Sequence, residues 1–234
     1  MSDNFPVYRQ HGTVLFVIMS AILALVLVYL FLGVTESAFE AIGFTRAEFA
    51  LILIATFLGS AVNIPITRVS GNEPVIGYRE VKYYGLTYRV PVVARQRVST
   101  LVCINVGGAI VPICVSIYLL FTHASLVLDC FVGVIVTSIF VHLMVKKVPG
   151  EGIETPALLP PLVATIISIL IHPGAGVAMI AYVSGSMGAL IGADLTNLKG
   201  ITDLGAPVAS IGGAGTMDGV FLTGILAVIL VSIF

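Results

Sequence analysis

The chain has 234 residues, of which 58% are hydrophobic and only 10% charged, and its formal net charge is −1. A soluble domain carries about 25% charged residues, so this composition cannot cover a surface in water and excludes an ordinary water-soluble enzyme or binding module. The near-zero charge also argues against a nucleic-acid partner, which would require a basic face. The medium to expect is the lipid bilayer, with residues 1–234 forming a single transmembrane domain.

A helix needs about 20 consecutive apolar residues to cross the hydrocarbon core. Residues 13–34 carry no charge, are too long for a signal-peptide core and lack a following small-residue cleavage site, so they read as the first span. Residues 49–67 form the second and 98–121 the third. The fourth runs over 124–145, with Asp129 near one end. The fifth, 155–171, is short and opens with Pro156, Pro160 and Pro161, which suit a helix entry because their missing N–H would have had no partner there. The sixth, 174–198, contains Asp194, and the seventh, 206–234, contains Asp218. The expected fold is therefore an all-α, polytopic helical bundle of about seven spans.

Between spans two and three, the segment VIGYREVKYYGLTYRVPVV alternates aromatic and β-branched residues with charges and is interrupted at Gly85. It reads as a short β-hairpin around residues 81–90 on the membrane surface. It would act either as a basic loop anchored by interfacial tyrosines or as a sheet edge able to accept an extended peptide. Placing the N-terminus in the cytoplasm puts Arg9, Arg68, Arg79, Lys82, Arg89, Arg95, Arg97, Lys146, Lys147 and Lys199 inside and Arg46 alone outside. That asymmetry sets the orientation and points to a multi-pass protein of the plasma membrane. Cys103, Cys114 and Cys130 have no metal-ligand spacing, the first two falling on one expected helix, and all three read as small packing residues. His11, His123, His142 and His172 are scattered, with His172 expected in an outer loop. Neither a metal nor another cofactor is expected.

Val106-Gly107-Gly108-Ala109 in span three and Ile211-Gly212-Gly213-Ala214 in span seven resemble each other, and each follows a span with a Gly-Ser pair, Gly59-Ser60 and Gly185-Ser186. Residues 13–121 and 155–234, joined by the span 124–145, would then be parallel repeats of the kind some transporters use. The alternative is independent use of small residues where helices pack closely.

An acid inside a span is costly and marks a functional site by default. Asp194 and Asp218 are separated by the turn-like run Lys199-Gly200-Ile201-Thr202-Asp203-Leu204-Gly205. A helical hairpin turning there would bring both to similar depth. The glycines at 205, 212, 213, 215 and 219 allow close backbone approach, or an unwound start to span seven. Two facing carboxylates share a proton, one activating water while the other donates. Blander roles are also open: Asp194 capping the turn with Thr196 and Asn197, or Asp218 bonded to Asn63, Asn105 or Thr216 for packing alone.

The run GAPVASIGGAGTMDGVFLTGI, with the upstream GALIGADL, resembles an uncharacterised family of archaeal and bacterial multi-pass membrane proteins, a domain of unknown function. A looser resemblance is to presenilin-type intramembrane aspartyl proteases. These carry one Asp on an inward helix, a Gly-x-Gly-Asp motif on the next outward helix and a Pro-Ala-Leu motif at the cytoplasmic start of a further outward helix. Asp194, Asp218 and Pro156-Ala157-Leu158 take those orientations here. The differences are that Pro156-Ala157-Leu158 precedes the acids, that the second acid sits in Gly213-Ala214-Gly215-Thr216-Met217-Asp218, and that seven spans replace the usual nine. This resemblance implies Asp194 and Asp218 as catalytic residues. Pro156, Ala157, Leu158, Gly213 and Gly215 would border a cleft for a transmembrane peptide, which such enzymes hold as a strand. The other expectations are a proton- or cation-coupled small-solute transporter centred on Asp218 with Asn63 or Asn105, and a non-enzymatic membrane scaffold.

Overall fold

The computed structural model describes residues 11–83, 86–148, 152–198, 208–213 and 219–233. Among the described residues each of the seven expected spans holds one α-helix: α1 (His11–Ala41), α2 (Arg46–Ser60), α3 (Val111–Thr122), α4 (Val127–Met144), α5 (Leu159–Ile171), α6 (Val177–Ala189) and α7 (Gly219–Val231). Among the described residues three helical stretches are long and apolar enough to cross a bilayer, Phe16–Ala41, Ala124–Met144 and Val177–Asn197. Val106–Thr122, Leu159–Ile171 and Gly219–Val231 are apolar but shorter. The protein is thus a membrane-associated, largely helical protein.

It is not all-α. β1 (Asn63–Tyr83) and β2 (Leu86–Asn105) form an antiparallel ribbon, and β5 (Val208–Ile211) adds to β2 in parallel, giving the order β1-β2-β5. A second, minimal pair joins β3 (Lys146–Val148) to β4 (Gly152–Glu154). The hairpin expected near residues 81–90 therefore runs from Asn63 to Asn105. It claims the end of the expected second span and the first eight residues of the third, moving Cys103 from a helix to β2. The physical reason lies in composition. The flanks Asn63-Ile64-Pro65-Ile66-Thr67 and Val98-Ser99-Thr100-Leu101-Val102-Cys103-Ile104-Asn105 are apolar and β-branched. A short apolar run abutting an apolar helix cannot be told from its continuation by periodicity.

α6 is the central rod. It continues through a π-helical turn (Leu190–Asp194) and a 3₁₀ turn (Leu195–Asn197), and 72% of its most apolar stretch is buried in the protein, against none of that of α1. Because lipid is as apolar as Leu, burial of this kind rests on close packing rather than on escape from water. Small residues provide it. A Cβ on Gly59 of α2 would lie 2.8 Å from the backbone N of Gly107, and one on Gly185 of α6 3.1 Å from the Thr223 carbonyl of α7. Phe39 at the end of α1, 1% exposed, meets the rings of Phe44, Phe49, Tyr182 and Phe221 at centroid distances of 5.2 to 6.4 Å. Aromatic pairs add about 0.5–1.5 kcal/mol each beyond area, so this cluster pins α1 to α2, α6 and α7 at one end of the bundle. The α1–α2 corner is closed by a capping box, with Thr45 Oγ1 accepting from Glu48 N and Glu48 accepting from Thr45 N.

Candidate functional site

Three chain breaks converge beneath the ribbon. α2 ends at Ser60 and β1 begins at Asn63. β2 ends at Asn105, whose side chain caps a π-helical turn (Val106–Ile110) leading into α3. β5 ends at Ile211 and the chain turns at Gly212, which has a left-handed φ of +70°. Polar side chains close the junction. Asn105, 2% exposed, donates to the Ser60 carbonyl at 2.8 Å and to Asn63 Oδ1 at 3.0 Å, and accepts from Gly108 N at 2.8 Å. Asn63 Oδ1 also accepts from Ser210 Oγ at 2.5 Å. The ladder between β1 and β2 pairs Asn63 with Asn105, and that between β2 and β5 brings Ser210 opposite Cys103. The strand register thus puts these three polar groups together. Irregular backbone inside a membrane needs protein partners, and Asn105 supplies them to the Ser60 carbonyl and the Gly108 N–H.

Asp194 joins the junction from α6. It ends the π-helical turn, a local widening frequent at functional sites. Its Oδ2 accepts from the backbone N–H of Gly212 at 2.6 Å, a short bond of the charge-assisted kind. Among the described residues no Lys, Arg or His forms an ion pair with it; the described pairs are Arg46 with Glu36 and Glu40, Arg89 with Glu80, and His172 with Asp129. Asp194 makes no side-chain cap bond to the 3₁₀ turn that follows it; Thr196 donates to the Gly192 carbonyl and Asn197 to the carbonyls of Gly192 and Ala193, and the turn 199–205 that Asp194 was expected to cap lies outside the described residues.

The turn expected between spans six and seven, residues 199–205, lies outside the described residues; the described part of the connection, 208–213, is β5 and the turn at Gly212, and α7 covers Gly219–Val231. Of the two ways foreseen for span seven to start, the non-helical one is found. The two Gly-Gly-Ala runs also meet: a Cβ on Gly212 would lie 2.7 Å from Ala109 N and from the carbonyl carbon of Gly108.

Asp218 and Gly215 lie outside the described residues. The described residues on either side of that stretch are both close to the Asp194 helix. Gly212 bonds Asp194, and Val220 packs in one cluster with Ala189, Leu190, Ile211 and Ala109. Gly213 lies in the junction, where a Cβ would meet Ser210 Cβ at 2.8 Å and Asn105 Cβ at 3.3 Å. Pro156, Ala157 and Leu158 are exposed and precede α5. His172, expected in an outer loop, follows α5 and pairs with Asp129 at 3.1 Å. Sequence reasoning placed Asn63 and Asn105 beside Asp218 as alternatives. It missed Ser210 and the Gly212 N–H, whose roles arise only from the pairing of β5 with β2.

The chain belongs to the DUF1614 family of proteins of unknown function, whose model matches residues 57–230, the stretch that holds the ribbon, the junction and both acids. Comparison with curated proteins and with solved structures gives no match.

Proposed function

We propose that this membrane protein is an intramembrane aspartyl hydrolase in which Asp194 and Asp218 form the dyad and an extended transmembrane peptide is the substrate. The observation that carries the reading is the bond from Gly212 N–H to Asp194 at the end of β5. Among the described residues β5 is the outermost strand of its sheet, so a peptide adding to its outer edge would run toward that carboxylate. Strand addition of this kind supplies main-chain hydrogen bonds without demanding a sequence. Asp218, six residues beyond Gly212, would complete the pair, with Gly213 and Gly215 leaving room for substrate backbone and Pro156, Ala157 and Leu158 bordering the cleft. One carboxylate takes a proton from water as it adds to the scissile carbonyl. The other, protonated, gives its proton to the departing amine. In this reading the chain crosses the plasma membrane about seven times, the shorter helices completing their crossings with the backbone that flanks them, with a cytoplasmic N-terminus and the junction near the cytoplasmic side.

Two measurements test it. In a background with the three native cysteines replaced, Asp194→Cys with Asp218→Cys should form a disulfide on mild oxidation, because bridging requires Cα atoms within about 7 Å. Failure to bridge would remove the dyad. Cleavage of a reporter transmembrane peptide by purified protein should fall about 10²–10⁴-fold in Asp194→Asn or Asp218→Asn, the usual worth of a general acid or base. Asn at position 194 keeps an acceptor for Gly212 N–H, so cleavage that persists in both variants would refute the assignment.

A second reading, proton- or cation-coupled transport of a small solute, is favoured by one observation. Asp194 is bonded to Gly212, the turn that follows Ser210 at the junction of broken segments, and ion sites of transporters are built at such breaks. It predicts an ion flux in proteoliposomes that Asp194→Asn abolishes, with no peptide cleavage.

A further inference from the structure

The ribbon of β1 and β2 does far more than join two helices. At about 3.3 Å per residue, the 21-residue β1 is on the order of 70 Å long if straight. β5 covers only Leu101–Ile104 of β2; among the described residues no other strand pairs with either edge. A two-stranded ribbon with open faces is marginal in water, so its length calls for a surface to lie on.

Charge and geometry identify that surface. Over residues 63–105 the chain carries Arg68, Arg79, Lys82, Arg89, Arg95 and Arg97 against Glu73 and Glu80, a local net charge of +4 in a protein of net charge −1. The ribbon starts where exposed apolar surface gives way to charge. The exposed apolar residues of α2, Ile54, Phe57 and Leu58, continue into exposed Val62, Ile64 and Ile66, and the first charge follows at Arg68. A register shift between Pro65 and Thr67 lies at that exit, and such a bulge bends a ribbon.

Near its tip the two faces differ. Tyr88 is opposite Val81 and Val90 opposite Arg79, so Arg79, Val81, Tyr88 and Val90 share one face, with Val81, Tyr88 and Val90 42 to 51% exposed. The other face carries Tyr78, Lys82 and the Glu80–Arg89 ion pair. One side is thus an apolar and aromatic strip beside a cation, the composition that settles at a headgroup interface. The other is a charged side suited to water.

We propose that the ribbon docks along the surface of its own membrane, with the Val81–Tyr88–Val90 strip against anionic lipid headgroups. Anionic leaflets attract basic segments within a Debye length, which supplies the selectivity that the apolar strip lacks.

The chain has no Trp, so Tyr88→Trp and Tyr78→Trp each give a single fluorescent reporter, one per face, at exposed positions where folding should be unaffected. Each full-length variant is reconstituted into phosphatidylcholine vesicles with and without phosphatidylglycerol, both doped with a bilayer-confined quencher. The expected result is several-fold stronger quenching and a blue shift at position 88 in the anionic vesicles, reversed by high salt and by Arg79→Glu with Lys82→Glu, while position 78 stays water-exposed. Equal, water-like emission at both positions in both vesicles would overturn the proposal. So would burial of position 88 in neutral detergent that grows with protein concentration, since a second copy would then be the partner.

Discussion

Gly212 provides a sharp test of the junction because the structure supplies a matched control. Gly212 and Gly43 both have positive φ, +70° and +98°, so replacing either with Ala forces a left-handed conformation worth about 1–2 kcal/mol. At Gly43 the added Cβ enters open space, and that cost is all that is expected. At Gly212 the Cβ would lie 2.7 Å from Ala109 N, Ala109 Cβ and the carbonyl carbon of Gly108, well inside the roughly 3.5–4.0 Å of ordinary carbon contact. Two of those atoms are backbone at the start of a capped helix and cannot rotate away. Overpacking then adds about 1–3 kcal/mol, and displacement of the Gly212 N–H weakens its bond to Asp194. Gly212→Ala should therefore lose about 2–5 kcal/mol, against about 1–2 kcal/mol for Gly43→Ala. Reversible unfolding of the purified protein in mixed micelles by a denaturing detergent measures both. Equal losses in the two variants would mean that β5 does not sit against residues 108–109, and the junction as described would be wrong.

Asn105→Ala should cost about 2–4 kcal/mol in the same assay, because it strands the Ser60 carbonyl and the Gly108 N–H and removes one of the two donors to Asn63 Oδ1; a loss below that of an ordinary surface change would contradict the network. Tyr182 is fully buried and its hydroxyl has no hydrogen-bond partner among the described residues. Tyr182→Phe should accordingly stay within about 1 kcal/mol of the parent, whereas Tyr182→Ala empties the centre of the bundle and should cost about 3–5 kcal/mol. The Glu48 carboxyl is held below its ordinary value of 4.5, first by the backbone N–H of Thr45 and then by the Thr45 hydroxyl. Because the folded pKa is the lower one, its contribution is fully present above about 4.5 and is lost as pH falls through the folded value. Titrating stability of wild type and Glu48→Gln should show a constant difference near neutrality that shrinks toward zero in acid. A difference that is the same at every pH would rule out the charged capping box.

What the sequence determined by itself is the medium and the helical inventory. Charged residues at 10% cannot solvate a fold of 234 residues, and each apolar run long enough to matter does contain a helix, because in hydrocarbon a backbone must satisfy its own hydrogen bonds. The proline entry of α5 could be read locally too, since a missing N–H has meaning wherever it falls. The strand flanks could not be read, because residues 98–105, despite Ser99, Thr100 and Asn105, abut a long apolar helical run, and periodicity over so short a stretch does not separate a strand from the start of a helix. Tertiary structure alone decided the rest. β5 is four residues long and has no strength of its own; it is a strand because β2, distant in the chain, offers it a parallel edge. That pairing sets the position of Gly212, and Gly212 gives Asp194 a partner that neither local propensity nor residue type could name.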